Sequence, residues 1–200
     1  MILNRLEFLA MNNPLRALMQ RRFEARRLCA MGGPATGGRA LEIGCGRGVG
    51  VEIILDQFAA ASVDAFDLDP RMIERARKRL GAMRDRVRLS VGDATRIEAP
   101  TATYDAVFDF GIIHHIPDWR KALAEVLRVL RPGGRFYAEE ILADWIMRPI
   151  WRRLLDHPTE DRFDHRQFIA GLEETGFTIV AAKRFGRSIG WYVADKPEAT

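Results

Sequence analysis

Two stretches of the chain combine residue types that can hold a nucleoside. In residues 41–48 an apolar segment runs into alternating glycines, and in residues 65–70 a second apolar segment ends at Asp67. Glycines let a ligand approach the backbone closely, and an acidic side chain at the end of the next parallel strand can accept hydrogen bonds from two ribose hydroxyls. The two stretches therefore predict a nucleoside-binding crevice at the carboxyl ends of a parallel sheet.

The spacing of the glycines narrows the choice of nucleoside. They stand at Gly44, Gly46, Gly48 and Gly50. A dinucleotide-binding fingerprint requires G-x-G-x-x-G, but in the two frames the third glycine would fall on Val49 or Val51. The Gly-Lys-Ser/Thr ending of a phosphate-binding loop does not follow either. What remains is Glu42, two residues before the first glycine, followed by G-x-G-x-G.

This pattern resembles motif I of class I S-adenosylmethionine-dependent methyltransferases. Asp67, the Gly-Asp-Ala at 92–94, the strand-like segment at 104–109 and the Leu-Arg-Pro-Gly-Gly-Arg at 130–135 match later motifs of that family in the same order. The matched region covers residues 39–140. The resemblance implies S-adenosyl-L-methionine as cofactor, a methyltransferase activity and a Rossmann-like α/β fold. That fold is a doubly wound, seven-stranded, mostly parallel sheet whose last strand is antiparallel.

The resemblance also implies roles for residues around the crevice. Glu42 would help orient the cofactor's ammonium group, Asp67 would bind the ribose hydroxyls, and Asp93 would accept a hydrogen bond from the adenine amine. Asp93 could instead be a turn residue or a helix N-cap, and Met72 an ordinary residue of a helix core. The full set implied to bind the cofactor is Glu42, Gly44, Cys45, Gly46, Asp67, Leu68, Met72, Asp93, Ala94 and Phe110.

Two histidines beyond the fourth predicted strand are the candidate catalytic residues. His114 and His115 lie in the segment that follows residues 104–110. Imidazole titrates near neutral pH, so either histidine could serve as a general base if the acceptor must lose a proton. Either could equally be a structural histidine that holds the loop. The neighbouring acids Glu139 and Glu140 read mainly as a solvated strand end, and contact with the acceptor is the alternative.

Length and patterning predict one methyltransferase domain over residues 1–200. Residues 2–31 predict two helices that cap the site or form a lid, and residues 39–140 form the cofactor-binding core. Residues 141–163 predict an insert that lines the acceptor pocket, and residues 164–195 a last helix and a closing hairpin. Strands of the core are predicted at 39–43, 62–67, 86–91, 104–110 and 134–140.

Composition and charge indicate where in the cell the protein acts and which kinds of partner it can bind. The formal net charge is +4 and the sequence pI is about 9.4. The excess arginines read first as solvated helix faces, with attraction to anionic lipid or nucleic acid as the alternative. Nucleic acid is disfavoured because no recognition module accompanies the charge. Two cysteines without metal-ligand spacing, and no apolar run of transmembrane length, predict a cytoplasmic protein without a metal. The sequence leaves both a monomer and a homodimer open.

The acceptor is predicted from the segments outside the core. The predicted N-terminal helices and the insert are rich in apolar and aromatic residues, which favours a small apolar or aromatic acceptor. Two alternatives stay open. One is a lipid or quinone methyltransferase in contact with a membrane surface, favoured by the basic N-terminal helices. The other is a non-catalytic module that binds S-adenosylmethionine.

Overall fold

A seven-stranded sheet with strand order 3-2-1-4-5-7-6 forms the centre of the molecule. The computed structural model describes residues 13–143 and 162–198. Neighbouring strands among β1–β5 pair in parallel, while β7 runs antiparallel to both β5 and β6. The predicted α/β fold with an antiparallel last strand is therefore confirmed. The strands are β1 (Arg39–Ile43), β2 (Ser62–Asp67), β3 (Val87–Val91), β4 (Tyr104–Phe110), β5 (Leu130–Ile141), β6 (Thr178–Phe185) and β7 (Ile189–Asp195).

The helices begin and end where the sequence supplies capping residues. Pro14 and Pro70 occupy the first turns of α1 and α4, where a missing N–H costs nothing. Asp118 caps α5, and Asp164 caps α6, which closes at Gly176 with φ of 108°. The described helices are α1 (Pro14–Met19), α2 (Ala25–Gly32), α3 (Val49–Asp56), α4 (Pro70–Arg79), α5 (Trp119–Val129) and α6 (His165–Thr175), with a π-helical turn at Gln20–Glu24 and 3-10 turns at Gly81–Met83 and Ile113–His115.

Two elements differ from the prediction. The strand β5 begins at Leu130 instead of residue 134, because Leu130 pairs with Tyr104 before the register shifts and pairing resumes at Arg135. The π-helical turn at Gln20–Glu24 joins α1 to α2 and has no signal in the apolar pattern. The first predicted N-terminal helix, at residues 2–12, and most of the predicted insert lie outside the described residues.

Alternation along the strands divides the core into two layers of side chains. One layer packs β1–β5 against α2, α3 and α4, and includes Leu28, Ile54 and Phe108. The other packs the sheet against α5 and α6, and includes Trp119 and Phe168. Successive residues of a strand point to opposite faces, so the polar residues at the strand ends are also distributed between two faces. No helix in residues 13–143 and 162–198 combines the length and apolar character needed to cross a bilayer.

The packing of α5 against α6 gives a test of the second layer. A Cβ added at Gly171 would lie 2.4 Å from Cζ3 of the buried Trp119, whereas a Cβ at Gly81 would meet no atom within 4 Å. We expect Gly171→Ala to lower the free energy of unfolding by about 1–3 kcal/mol, as overpacking does. Gly81→Ala, the matched control, should leave it unchanged or raise it slightly. Denaturant unfolding measures both, and equal stabilities of the two variants would contradict this packing.

Candidate cofactor and active site

The turn after β1 is built from glycines in a conformation that other residues rarely adopt. Gly44, Gly46 and Gly48 have φ of 67°, 52° and 85°, all in the left-handed region. A Cβ on Gly44 would lie 2.5 Å from Cγ2 of Ile112, so the segment after β4 packs here because Gly44 lacks a side chain. The turn therefore presents bare backbone at the carboxyl ends of β1 and β4.

The carboxylate of Asp67 connects this turn to the start of α4. Its Oδ2 accepts a hydrogen bond from the Gly46 amide at 2.8 Å, and its Oδ1 accepts from the Asp69 amide at 2.9 Å. Burial raises the pKa of Asp67, and these two backbone hydrogen bonds oppose that shift. Each carboxylate oxygen has a further lone pair. The geometry thus fixes the carboxylate in place and leaves it able to accept from ribose hydroxyls.

Glu42 is buried directly beneath the turn. It is 2 % exposed, and its carboxylate fits against Gly50, where an added Cβ would lie 1.9 Å from Oε1. No hydrogen-bond partner for its Oε2 is found among the described residues. Burial raises the pKa of Glu42 well above its ordinary value. A buried acceptor without a partner is unusual in a folded protein, and the ammonium group of an amino-acid-like ligand would supply both the missing donor and a compensating charge.

One cavity of about 450 Å³ connects these groups, and all ten residues predicted to bind the cofactor line it. In the part of the lining formed by residues 92–95, the Oδ1 of Asp93 accepts hydrogen bonds from the amide and the hydroxyl of Thr95, at 2.8 and 2.9 Å. Asp93 is thus a turn residue that also lines the cavity, and its contact with adenine stays a prediction. Met72 likewise lines the cavity while being 4 % exposed on α4.

Helix α1 forms a wall of the cavity, and it lies in the segment that the sequence predicted to cap the site. Arg16 and Ala17 of this helix and Gln20 of the following turn line the cavity. The Arg16 guanidinium is held between two carboxylates, those of Glu24 and Glu139, the latter with Nη2 to Oε1 at 3.2 Å. The other oxygen of Glu139 accepts from the Trp191 indole N–H at 2.9 Å. Five arginines stand between positions 16 and 27, and no sequence signal distinguishes the one that faces inward.

The opposite wall is held by Glu140. Its carboxylate accepts from the amides of Ile113 and His114, at 2.7 and 3.2 Å, and lies 2.5 Å from Nδ1 of His114. Asp109 at the end of β4 accepts from the Ile112 amide at 2.9 Å. Hydrogen bonds to two buried carboxyl groups therefore hold the 3-10 turn at 113–115 and the residue before it in place.

The two candidate histidines occupy different positions on this turn. His115 lines the cavity, whereas His114 is buried against Glu140 and is not part of the cavity lining. Their rings are 4.1 Å apart between centroids. The structural reading fits His114, because it helps to anchor the turn. The catalytic reading stays a prediction, and it concerns His115 more directly because His115 lines the cavity.

The expectation that Glu139 and Glu140 form a solvated strand end is wrong. They are 4 % and 0 % exposed. As successive residues of β5 they point to opposite faces of the sheet, where α1 covers one and the 3-10 turn covers the other. Strand β7 pairs with both residues, which removes the sheet edge as well. Neither carboxylate is in the cavity lining, and each one holds a neighbouring element in place.

Burial shifts the pKa values of the acidic side chains at this edge of the sheet. It raises the pKa values of Glu42, Asp109 and Glu139 well above their ordinary range, and that of Glu140 to about 7. Burial is the main cause of the raised pKa of Asp109, and the nearby Glu140 adds to it because two like charges oppose ionisation. The folded protein therefore binds protons that the unfolded chain would release.

This titration makes a prediction for stability. Because the folded-state pKa of Glu140 is about 7 against 4.5 for the free side chain, its contribution is fully present below pH 4.5 and is lost as the pH rises through about 7. In Glu140→Gln this side chain no longer titrates, so the variant should lose less stability than wild type as the pH rises. The difference in unfolding free energy between wild type and variant should therefore shrink over this pH interval. Urea unfolding at several pH values measures the difference, and a pH-independent difference would contradict the assignment.

Comparison with known proteins agrees with the fold and the site. Residues 40–134 match the model of a methyltransferase domain family. The chain is 33% identical to the 27-O-demethylrifamycin SV methyltransferase of Amycolatopsis mediterranei over 62% of this chain and 44% of that protein. It is 32% identical to a fatty-acid O-methyltransferase of Mycolicibacterium smegmatis over 69% of this chain and 51% of that protein. The chain thus spans about half the length of these curated relatives.

A solved structure supports the same fold. The methyltransferase in a complex with the Haloferax volcanii Trm112 activator superposes with a TM-score of 0.78 over 96% of this chain and 98% of that chain, at 18% identity. Sheet order, glycine turn and strand-end acids together define a nucleoside-binding protein of the Rossmann-like methyltransferase class. The matched domain and the methyltransferase relatives support a class I S-adenosylmethionine-dependent methyltransferase, as the motifs predicted. The cofactor of that family is the one that the motifs predicted.

Proposed function

We propose that the protein transfers a methyl group from S-adenosyl-L-methionine to a small apolar or aromatic acceptor. The observation that carries this proposal is one shared cavity that joins Asp67, His115 and the Glu42 oxygen that lacks a partner among the described residues. A cofactor bound along it would have its ribose at Asp67 and its methionine ammonium at Glu42. Its contribution to the chemistry is a methyl group activated by the positive charge on sulfur.

The walls near His115 support an apolar acceptor. Ile112, Ile116 and Pro117, which are close to His115 in the sequence, line the cavity, and so does Phe110. An apolar, water-poor site is suited to displacement at a sulfonium, because the positive charge disappears as the methyl group moves. A site that aligns the acceptor with the methyl group supplies much of the rate acceleration by orientation alone.

The side chains in and around the cavity would have different roles in the reaction. Glu140 and Asp109 hold the turn that presents His115, so the imidazole would remove a proton from a hydroxyl or amine acceptor as the new bond forms. Arg16 lines the cavity with its guanidinium fixed by Glu24 and Glu139. It would keep α1 closed over the bound ligands and exclude water from the reacting atoms. The predicted lid at residues 2–31 includes this helix and remains part of the proposal.

The names of relatives guide the choice of acceptors for a test. One relative is named for a rifamycin and another for a fatty acid. We would incubate the protein with methyl-labelled S-adenosylmethionine and a panel of phenols, hydroquinones and fatty acids, with nucleosides and peptides as polar controls. Label transfer to the first group and not to the controls is expected. Tight cofactor binding with no transfer to any acceptor would instead favour the non-catalytic binding module.

A variant of His115 tests its role once an acceptor is found. His115→Ala should lower kcat by about 10²–10⁴-fold if the imidazole is a general base, while cofactor affinity changes little. His165→Ala is the matched control, because His165 lies outside the cavity lining and its Nδ1 contacts the Tyr192 hydroxyl at 3.0 Å. Equal rates for the two variants would remove the base role from His115 and leave orientation as the source of catalysis.

A further inference from the structure

An exposed apolar stripe runs along the outside of the N-terminal helices. Residues three and four positions apart share one side of a helix. The members of this outer stripe are between 46 % and 68 % exposed, and they are Leu15, Leu18, Met19 and Phe23. Large apolar side chains grouped at a surface are typical of sites that contact a protein or a membrane.

The outer stripe lies on the reverse of the cavity wall. Within the same segment, Arg16, Ala17 and Gln20 line the cavity, while Leu15, Leu18 and Met19 are turned away from it and exposed. The wall is firmly attached to the body of the protein through Arg16 and Glu139, and through Arg21 and Glu52 on α3. Whatever contacts the outer stripe therefore lies within one helix thickness of the cavity.

Charge identifies the kind of partner. Residues 14–32 contain five arginines and a single acid, Glu24. That acid is buried and paired with Arg16, so it does not offset the outward charge. Arg22 and Arg26 are exposed and follow the outer stripe at helical spacing. An apolar face bordered by exposed arginines, with no exposed acid in this described segment, matches the headgroup region of an anionic bilayer.

We propose that this surface docks the protein onto anionic lipid bilayers, with the outer stripe in the interfacial region and Arg22 and Arg26 at the lipid phosphates. The contact is peripheral and requires no spanning helix. It would bring the cavity wall formed by α1 against the membrane, where apolar acceptors concentrate. Docking is a property of the surface alone, so its test does not depend on turnover or on the proposed acceptor.

Vesicle sedimentation with matched variants tests the proposal. We expect the full chain to bind vesicles of phosphatidylcholine with phosphatidylglycerol, and to bind phosphatidylcholine alone much more weakly. Phe23→Ser should weaken partitioning about tenfold through the loss of one buried aromatic side chain. Phe185→Ser is the control, because Phe185 has the same 68 % exposure but lies on β6.

A second pair of variants separates local from total charge. Arg22→Glu with Arg26→Glu should abolish binding to the anionic vesicles. Arg84→Glu with Arg88→Glu, which are also exposed, changes the net charge equally and should leave most of the binding. Absence of wild-type binding at low salt would overturn the proposal. So would equal binding to both vesicle types, equal losses for Phe23→Ser and Phe185→Ser, or a self-associating wild type that Phe23→Ser converts to a monomer without any vesicle binding.

Discussion

Buried and half-buried carboxyl groups at the carboxyl edge of the sheet organise most of this molecule's site. Removing a carboxylate from water is costly unless donors or cations surround it. Asp67 therefore takes the Gly46 amide, Glu140 takes the amides of the 3-10 turn, and Glu139 takes Arg16. Each of these bonds fixes a wall of the cavity. The conformation of the site follows from the need to satisfy these groups as much as from the packing of the sheet.

The same constraint explains why the adjacent acids of β5 matter. Because they point to opposite faces, Glu139 can hold a helix from the chain's N-terminal part while Glu140 holds a turn from its middle. Two neighbouring residues thus set the distance between two walls that are remote in sequence. Glu42 stands apart from them, since one of its oxygens has no partner among the described residues. A cationic ligand would complete the set, and the amino group of S-adenosylmethionine has the required charge.

The sequence predicted the parts of the structure that depend on local chemistry. The bounds of β1, β2 and β4 agree with the predicted strands at 39–43, 62–67 and 104–110, because short apolar runs next to turn residues determine them locally. Cofactor residues were predicted because the family motifs lie at strand ends, and strand ends of a parallel sheet share one edge.

Features that depend on which distant elements pack over a residue could not be predicted from the local sequence. Nothing local to Glu139 and Glu140 indicates that a helix and a turn will bury them. Nor does the arginine-rich segment show that Arg16 faces inward while Arg22 faces solvent. The partial separation of roles between His114 and His115 likewise depends on Glu140, a residue 26 positions from His114.

The central claim is that the glycine turn, Asp67 and Glu42 form an S-adenosylmethionine site. Calorimetric titration of S-adenosylmethionine and S-adenosylhomocysteine into wild type and Asp67→Ala tests it most directly, with circular dichroism confirming that the variant is folded. We predict saturable binding of both compounds to wild type and severe loss in the variant, because it lacks both the ribose partner and the Gly46 hydrogen bond. No binding to folded wild type, or equal binding to both proteins, would contradict the assignment of this site.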